Sequence, residues 1–528
     1  MHTDICTRLG KLCFIPLACL GMTAAGQAFA ADFDPYETSV TEIHAAMAAG
    51  DVTARQLVEY YLARIEAYDK QGPAINSIIT INPNALERAD ELDRVYRRDG
   101  LTGPLHGIPM IVKDNYDTAD MPTSGGSLAL KDSVPPDDAF QVQRIREAGA
   151  IIIAKSNLFE FAFSPYETVN SVLPGHTRNP YALNRVPAGS SGGTGASIAA
   201  NLAVVGLGTD TGNSIRGPSS HNALVGIRSS MGLTSRDGIV PLYFDHDIGG
   251  PMARSVADAA VVLGVIAGHD PADPVTAEGV DSIPDSYTEF LQADALNGAR
   301  FGVVRQLSNR ENADPEVRAV FEQALVTLWS NGAEAVDPID LPQLAQLGES
   351  TDDGVDAMWC SRFKYDLNDY LASLGPDAPV KSLQEVLDSK LYHPNVRSSL
   401  EYFQGIAEPP EENEECQRSL VNRERFRQTV RATMNEHDLD ALIFPTWANP
   451  PRLIGDLNSP HGDNSQQIAP HTGFPAITVP MGFTRSGLPL GLQMVGKQFD
   501  EATLVKLAYS YEQATHHRVP PANTPRLD

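Results

Sequence analysis

Cysteine is scarce in this sequence, and three of its five cysteines fall near the start, at Cys6, Cys13 and Cys19. The rest of the chain holds only Cys360 and Cys416, and the sequence leaves open whether these two form a disulfide. No spacing of cysteine and histidine matches a zinc site, so we expect neither a bound metal nor another cofactor.

Positive charge is scarce too, because 40 lysines and arginines stand against 67 aspartates and glutamates, a formal net charge of -27. A surface of this sign repels nucleic-acid backbones and anionic membranes. Long polar repeats are also missing, and 42% hydrophobic with 20% charged residues is typical of a globular protein. We therefore expect a small-molecule partner and no nucleic acid, and the sequence leaves open whether the chain forms a homodimer.

The N-terminal segment has the layout of a secretory signal. Arg8 and Lys11 precede the apolar run LCFIPLACLGM, which is followed by the small-residue pattern AFA ending at Ala30. The apolar run is too short to anchor the chain stably in a bilayer. We predict a signal peptide over residues 1–30 and a secreted or periplasmic protein with no stable membrane anchor after cleavage; a retained anchor is the alternative.

Hydrophobic periodicity predicts alternating helices and strands after this segment. Two helices are expected in VTEIHAAMAAGDVTARQLVEYYLARIEAYD, where apolar residues recur at helical spacing. The stretches GIPMIVKD, DDAFQVQRIREAG and AIIIAKS indicate a strand, a helix and a buried strand, which together form a βαβ unit. Such units imply a parallel sheet covered by helices.

Later segments extend this pattern. GTGASIAANLAVVGLG predicts a tightly packed helix that leads into a strand, and more strands are expected in RFGVVR, DALIFP, PAITVP and GLQMVG. Between about residues 340 and 435 the pattern becomes helical and more acidic. We therefore predict a single domain over residues 31–528 with a helical insertion around 340–435.

Three polar, glycine-rich segments stand at predicted strand ends: HGIPMIVKDN, PAGSSGGTG and GTDTGNSIRGP. Ligand sites of parallel α/β sheets gather at such ends. In the first segment Lys113 directly follows an apolar strand, and burial lowers the pKa of a lysine, so a neutral Lys113 would act as a base. The alternative is a surface ion pair with Asp114.

The second segment places Ser191 at the centre of a G-x-S-x-G pattern, which is found at the nucleophile elbow of α/β-hydrolases. An elbow needs a strand directly before it, whereas the residues here are NPYALNRVPA, with two prolines. A flexible glycine turn is therefore the favoured interpretation.

The third segment holds a glycine-containing turn made of Thr211, Gly212, Asn213 and Ser214. Backbone N–H groups in such a turn stabilise the oxyanion that develops when a hydroxyl attacks a carbonyl. A helix cap made of Ser, Thr and Asp side chains is the alternative. The turn is flanked by Asp210 and Arg216, and we expect these two residues to brace it through hydrogen bonds.

Together with AKSNLFEFA, GPMARSVADAA and TGFPAITVPMGFTRSGLPLGLQMVG, these segments resemble the amidase signature family of serine hydrolases over nearly all of the chain after the signal. The resemblance implies an α/β fold with a mixed, mostly parallel central sheet covered by helices on both faces. It also implies a Ser, cis-Ser, Lys triad, in which Ser214 is the nucleophile, Ser190 the bridging serine and Lys113 the base.

The same resemblance assigns the oxyanion loop to residues 211–214 and places Ala162 and Phe163 on the acyl side of the pocket, with core packing as the alternative for Phe163. Many family members have a glycine where this chain has Asn213, and asparagine tolerates the left-handed backbone region well. The implied activity is hydrolysis of a carboxylic amide to an acid and an amine or ammonia through a serine acyl-enzyme. The alternatives are an esterase or aryl acylamidase, a noncatalytic binding protein and one component of an amidotransferase.

Overall fold

The computed structural model describes residues 33–344 and 355–527, so the predicted signal peptide and part of the predicted insertion lie outside the described residues. Within them, eleven strands form one sheet. The strands are β1 (Ile78–Ile81), β2 (Pro109–Lys113), β3 (Ile151–Ser156), β4 (Val205–Asp210), β5 (Val225–Arg228), β6 (Ile248–Ala253), β7 (Arg300–Val303), β8 (Glu334–Val336), β9 (Ala441–Pro445), β10 (Ala476–Phe483) and β11 (Pro489–Val495).

Helices surround this sheet in the described part of the chain. They are α1 (Val40–Ala49), α2 (Ala54–Arg64), α3 (Ala85–Asp99), α4 (Phe140–Glu147), α5 (Gly192–Ala199), α6 (Arg216–His221), α7 (Val256–Ile266), α8 (Arg305–Ser308), α9 (Pro315–Ser330), α10 (Phe363–Ser373), α11 (Leu383–Ser389), α12 (Arg397–Gln404), α13 (Glu414–Glu436), α14 (Ala469–Thr472) and α15 (Glu501–Thr515). Among the residues described, none of the helices is long and apolar enough to span a membrane.

The predicted local elements are confirmed where the sequence signals are strongest. Helices α1 and α2 each begin at a capping box, Ser39 with Glu42 and Thr53 with Gln56, and Gly50 ends α1 in the left-handed conformation. The βαβ unit is β2, α4 and β3, with β2 and β3 parallel. The predicted strands in the later segments are β4, β7, β9, β10 and β11.

The strand order is β1-β3-β2-β4-β6-β5-β10-β11-β9-β7-β8. Parallel neighbours occur in two groups, β3-β2-β4 and β9-β7-β8, and the strands between them pair antiparallel. The predicted mixed α/β sheet is confirmed, but parallel pairing is less extensive than expected. One reason is the β10–β11 hairpin, since a short loop joins antiparallel strands only. Another is that β5 and β6, VGIR and IGGPMA, contain glycines that weaken the strand signal.

Helices α10 to α13 lie between β8 and β9, in the region predicted to hold a helical insertion. They carry an apolar cluster of their own, with Phe363, Leu367, Leu400 and Phe403 buried, and this cluster also includes Phe161 from the segment after β3. A disulfide joins Cys360 to Cys416, the start of the insertion to its last helix. The division of the chain into domains stays a prediction.

Candidate active site

The carboxyl ends of β2 and β4 lie side by side, because the two strands pair in parallel with Ile111 opposite Gly206 and Val112 opposite Leu207. Strand β2 ends at Lys113, and β4 ends at Asp210, directly before the polar turn. Two of the three segments singled out in the sequence are thereby brought to one edge of the sheet. This is the edge at which ligand sites of α/β sheets form.

Lys113 is fully buried at this edge. Its Nζ donates hydrogen bonds to Ser190 Oγ at 2.8 Å and to Thr209 Oγ1 at 2.6 Å. Burial lowers the pKa of Lys113 to about 7, although the carboxylates of Asp247 and Asp210 act in the opposite direction. Near neutral pH the side chain therefore supplies an uncharged amine in contact with a serine hydroxyl.

The alternative for Lys113, a surface ion pair with Asp114, is wrong. The carboxylate of Asp114 is also buried, and it lies 3.4 Å from Nζ of Lys155 and accepts a hydrogen bond from Ser124. Lys155 in turn donates to the backbone oxygens of Tyr116 and Pro122, so this second buried lysine fixes the loop after β2. Asp114 and Lys155 thus support the segment that follows Lys113.

Ser190 enters the site from a glycine turn that packs against neighbouring backbone. The Gly189–Ser190 peptide bond is cis, as the family resemblance implies. A Cβ added at Gly189 would lie 2.1 Å from the carbonyl oxygen of Glu167, and one at Gly193 would lie 2.2 Å from that of Asn157. Only glycine fits at these two positions, which explains the composition of the segment.

Ser191 has a different place from its neighbour. Its Oγ donates to the carbonyl of Thr209 at 3.1 Å and accepts from the N–H of the same residue at 3.3 Å, so it ties the start of α5 to β4. Within the described chain no strand leads into this serine. The glycine-turn interpretation of the G-x-S-x-G pattern is therefore confirmed, and the nucleophile elbow is excluded.

The polar turn after β4 presents its backbone donors to a cavity. Within the described residues the N–H groups of Thr211, Gly212, Asn213 and Ser214 have no acceptor. The helix-cap alternative fails, because the N–H groups of Ile215 and Arg216 are bonded to the carboxylate of Asp210 and not to a hydroxyl of the turn. Free donors in a buried turn match the requirement of an oxyanion hole.

A buried ion-pair network holds this turn in place. Asp210 lies 3.0 Å from the guanidinium of Arg216 and 3.0 Å from that of Arg228, and all three side chains are inaccessible to solvent. Burial alone would raise the pKa of Asp210, but the two guanidiniums lower it to about 2. Arg216 also donates to the carbonyl of Gly212 at 2.7 Å. The predicted bracing role of Asp210 and Arg216 is confirmed, and Arg228 is an added member.

Ser214 lies on the cavity wall, where its Oγ donates to Oδ1 of Asn213 at 3.3 Å. In the described part of the chain no hydrogen bond joins it to Ser190. Lys113 and Ser190 are thus already in contact, whereas the hydroxyl of Ser214 has to turn away from Asn213 to meet them. Catalytic hydrogen bonds of this kind often form only when substrate is bound.

The cavity has a volume of about 240 Å³ and brings together residues from distant parts of the chain. Thr211, Gly212, Asn213 and Ser214 line it, and so does Ala162. The N–H of Ala162 is bonded to the carbonyl of Phe159 at 2.8 Å, so Ala162 forms part of the wall and is not an oxyanion donor. Phe163 lines the cavity and also packs against Phe363 and Phe403 of the insertion.

Sequence reasoning missed several residues of this site. Thr209 stands in the predicted segment and contacts Lys113, and Asp247 accepts from Thr211 Oγ1 at 2.5 Å. The remaining wall is formed by Leu242, Tyr243, Trp359 and Gln466. These wall residues carry no local motif, because only the folded chain brings their segments together. No group of three His, Cys, Asp or Glu side chains among the described residues is arranged to hold a metal ion.

Comparisons with known proteins agree with this geometry. The amidase family model matches residues 56–505. A protein of Arabidopsis thaliana named probable amidase is 34% identical over 501 residues, which cover 93% of this chain and 92% of that protein. The amidase-like component of the glutamyl-tRNA(Gln) amidotransferase of Halorhodospira halophila is 32% identical over 512 residues, 92% of this chain and 99% of that protein.

A solved structure is also similar over nearly its whole length. The native peptide amidase of Stenotrophomonas maltophilia has a TM-score of 0.83 and 38% identity, and the similarity covers 93% of this chain and 99% of that one. The family match includes the strand that ends at Lys113, the glycine turn at Ser190 and the polar turn at Ser214. The chain therefore belongs to the amidase family, as its resemblance to the amidase signature proteins implies, and it is an enzyme that hydrolyses amides.

Proposed function

We propose that this enzyme cleaves its amide substrate through an acyl-enzyme on Ser214, with Ser190 as the proton relay and Lys113 as the base. The observation that carries the proposal is the contact between Lys113 Nζ and Ser190 Oγ at 2.8 Å, inside a site whose burial lowers the lysine pKa to about 7. A neutral Lys113 retains its bond to Thr209 Oγ1 and presents its lone pair to the hydroxyl of Ser190.

In the first half-reaction Ser214 Oγ attacks the carbonyl carbon of the amide. The hydroxyl proton of Ser214 passes to Ser190, and the proton of Ser190 passes to Lys113. The C–N bond then breaks, and the same relay returns a proton to the leaving nitrogen, because an unprotonated amide nitrogen is a poor leaving group. Water repeats the sequence on the ester that remains, which releases the acid and restores Ser214.

The oxyanion forms next to the free N–H groups of the polar turn. Each such donor removed from a comparable site costs about 3–4 kcal/mol of transition-state stabilisation. The Asp210, Arg216 and Arg228 network keeps these donors in place before the substrate arrives, so no reorganisation is needed during the reaction. Asn213 contributes a backbone donor and also the acceptor that holds Ser214 in the free enzyme.

The substrate we favour is a peptide-like amide acted on by a stand-alone enzyme. The similarity to a structure described as a peptide amidase supports this choice. A role within an amidotransferase complex is the competing assignment, since one relative is a component of such an enzyme. The net charge of -27 argues against it, because a substrate linked to tRNA would be repelled.

Ser214→Ala tests the mechanism directly. The variant should lose at least about 10⁴-fold in kcat and should no longer react with a fluorophosphonate probe. Ser197→Ala is the matched control, since Ser197 is equally buried but bonds only to the carbonyl of Thr194 in α5. Near wild-type turnover by Ser214→Ala would overturn the proposal. Matched esters and amides, given to the wild-type enzyme, separate an amidase from an esterase or aryl acylamidase.

We also place the mature enzyme outside the cytoplasm. The layout of residues 1–30 and the Cys360–Cys416 disulfide support this assignment, since disulfides persist in oxidising compartments. Cell fractionation with N-terminal sequencing provides the test. We expect a periplasmic or secreted protein that starts after Ala30 and has no titratable thiol. An uncleaved chain in the cytosolic fraction, with both thiols free, would contradict the assignment.

A further inference from the structure

A second cavity adjoins the catalytic one and is much larger, with a volume of about 1280 Å³. The two cavities share Trp359 and Gln466 as lining residues. Gln466 also lies against the polar turn, with its Oε1 3.0 Å from the position that a Cβ on Gly212 would occupy. A substrate bound at Ser214 therefore has room to continue past Trp359 and Gln466 into the larger cavity.

Arg310 lines this larger cavity with an unpaired guanidinium. Its Nε and one terminal nitrogen are buried and have no hydrogen-bond partner. Across the described residues it makes no ion pair within 4.0 Å. A buried cation without a partner is costly, and native proteins pair such groups with an anion or an acceptor. The position of Arg310 in a cavity next to the active site points to a ligand as that partner.

A second arginine lines the same cavity. Arg452 is only 9% exposed, donates to the carbonyl of Ser459 at 3.1 Å and lies 5.0 Å from the ring centroid of Tyr166. Burial lowers the pKa of His461 to about 4, and Arg452 and Arg310 both lower it further, so their positive fields meet at this histidine. The histidine stays neutral, and the two guanidiniums provide the positive charge of the cavity.

The acidic groups nearby do not neutralise these arginines by direct contact. Oδ1 of Asp463 accepts from the N–H and the hydroxyl of Ser465, and its Oδ2 accepts from Gln466 at 2.8 Å. Glu311 also lines the cavity, but its side chain is exposed to solvent. The guanidinium of Arg310 thus remains available to an external acceptor.

We infer that the larger cavity is a subsite for a carboxylate carried by the amide substrate at a distance from the scissile bond, with Arg310 as its principal ligand and Arg452 as a second cation. This inference rests on the proposed function. Planar guanidinium groups bind carboxylates through two parallel hydrogen bonds, which fits a specificity role. The substrate class is therefore an amide with an acidic acyl group, such as a peptide amide with an acidic residue.

The test compares substrates that differ only in this charge. Short peptide amides carry a single Glu, or its Gln counterpart, at successive positions from the amide, and kcat/KM is measured for each pair. For the best-placed position we expect the wild-type enzyme to favour Glu about tenfold or more. Arg310→Gln should reduce that ratio to about one, mainly through KM, while hydrolysis of the Gln series is retained. Arg305→Gln is the control, because Arg305 pairs with Glu322 and Asp337 away from the cavity.

A second readout does not depend on turnover. Fluorophosphonates with tails that end in a carboxylate or in a carboxamide label Ser214 at rates that report binding of the tail, and Arg310→Gln should remove the advantage of the carboxylate. Equal rates for the two tails in the wild-type enzyme, or an unchanged preference in Arg310→Gln, would overturn the subsite and leave the proposed function standing. No labelling by any tail would overturn both.

Discussion

The two sides of the catalytic cavity are built in different ways. On one side stands the nucleophile turn, residues 211–214, which comes from a single stretch of sequence and is held by the buried charges of Asp210, Arg216 and Arg228. On the other side stands the distal wall, which we define as Tyr243, Trp359 and Gln466. Its members are far apart in sequence and are held by ring contacts, such as the stacking of Trp359 on His246 at 4.5 Å.

This difference separates chemistry from selectivity. Ion pairs in a solvent-free interior fix the donors of the nucleophile turn rigidly, which is what stabilisation of a transition-state charge requires. Aromatic contacts are weaker and adapt to exchange of neighbouring side chains. The nucleophile turn therefore decides whether an amide is cleaved, and the distal wall decides which amide reaches it. Variants on the two sides should affect different kinetic constants.

The largest effect is expected from Lys113→Met, which removes the proposed base and keeps a long side chain. We expect kcat/KM to fall by up to about 10⁴-fold, since this is the range for loss of a general base. Stability should not fall comparably, because the methionine removes a buried amine rather than creating a large cavity. A kcat/KM within tenfold of wild type would contradict the assignment of Lys113.

The pH profile provides the matching check on Lys113. The amine acts as a base only when neutral, so kcat/KM of the wild-type enzyme should rise with pH and level off above the lysine pKa of about 7. Asp247→Asn should move the midpoint to lower pH, because the carboxylate of Asp247 raises this pKa. A midpoint that does not respond to Asp247→Asn would indicate that another group titrates.

The second effect concerns the support of the nucleophile turn. Asp210→Asn leaves the guanidiniums of Arg216 and Arg228 buried without a counter-charge, and breaking a buried pair in this way costs about 3–5 kcal/mol of unfolding free energy. Urea unfolding measures the loss. Glu401→Gln is the control, since it breaks the exposed pair with Arg397 and should change stability by less than about 0.5 kcal/mol. Equal losses in both variants would disprove the special role of the network.

Sequence predictability follows the same division. The βαβ unit, the strand that ends at Lys113 and the polar turn were predictable because hydrophobic periodicity and glycine spacing are local signals. The contact between Lys113 and Ser190, 77 residues apart, followed only from the family resemblance. Strands β5 and β6 were missed because glycines mask their pattern. The distal wall was predictable only as regions, since no rule on spacing links Tyr243 with Trp359.

The smallest effect is expected from Trp359→Ala, which opens the distal wall between the two cavities. Trp359 stacks on His246 and contacts His471 at a centroid distance of 4.9 Å, so its loss removes ring contacts from the wall and leaves the nucleophile turn intact. Each aromatic contact contributes about 0.5–1.5 kcal/mol, which corresponds to a rise in KM of roughly 2- to 12-fold with little change in kcat. Trp359→Phe should recover part of the affinity, and Leu391→Ala, an exposed residue that does not line the cavity, should leave KM unchanged. A fall in kcat to the level of Lys113→Met would mean that the distal wall takes part in the chemistry, and the two sides of the cavity would then act as one unit.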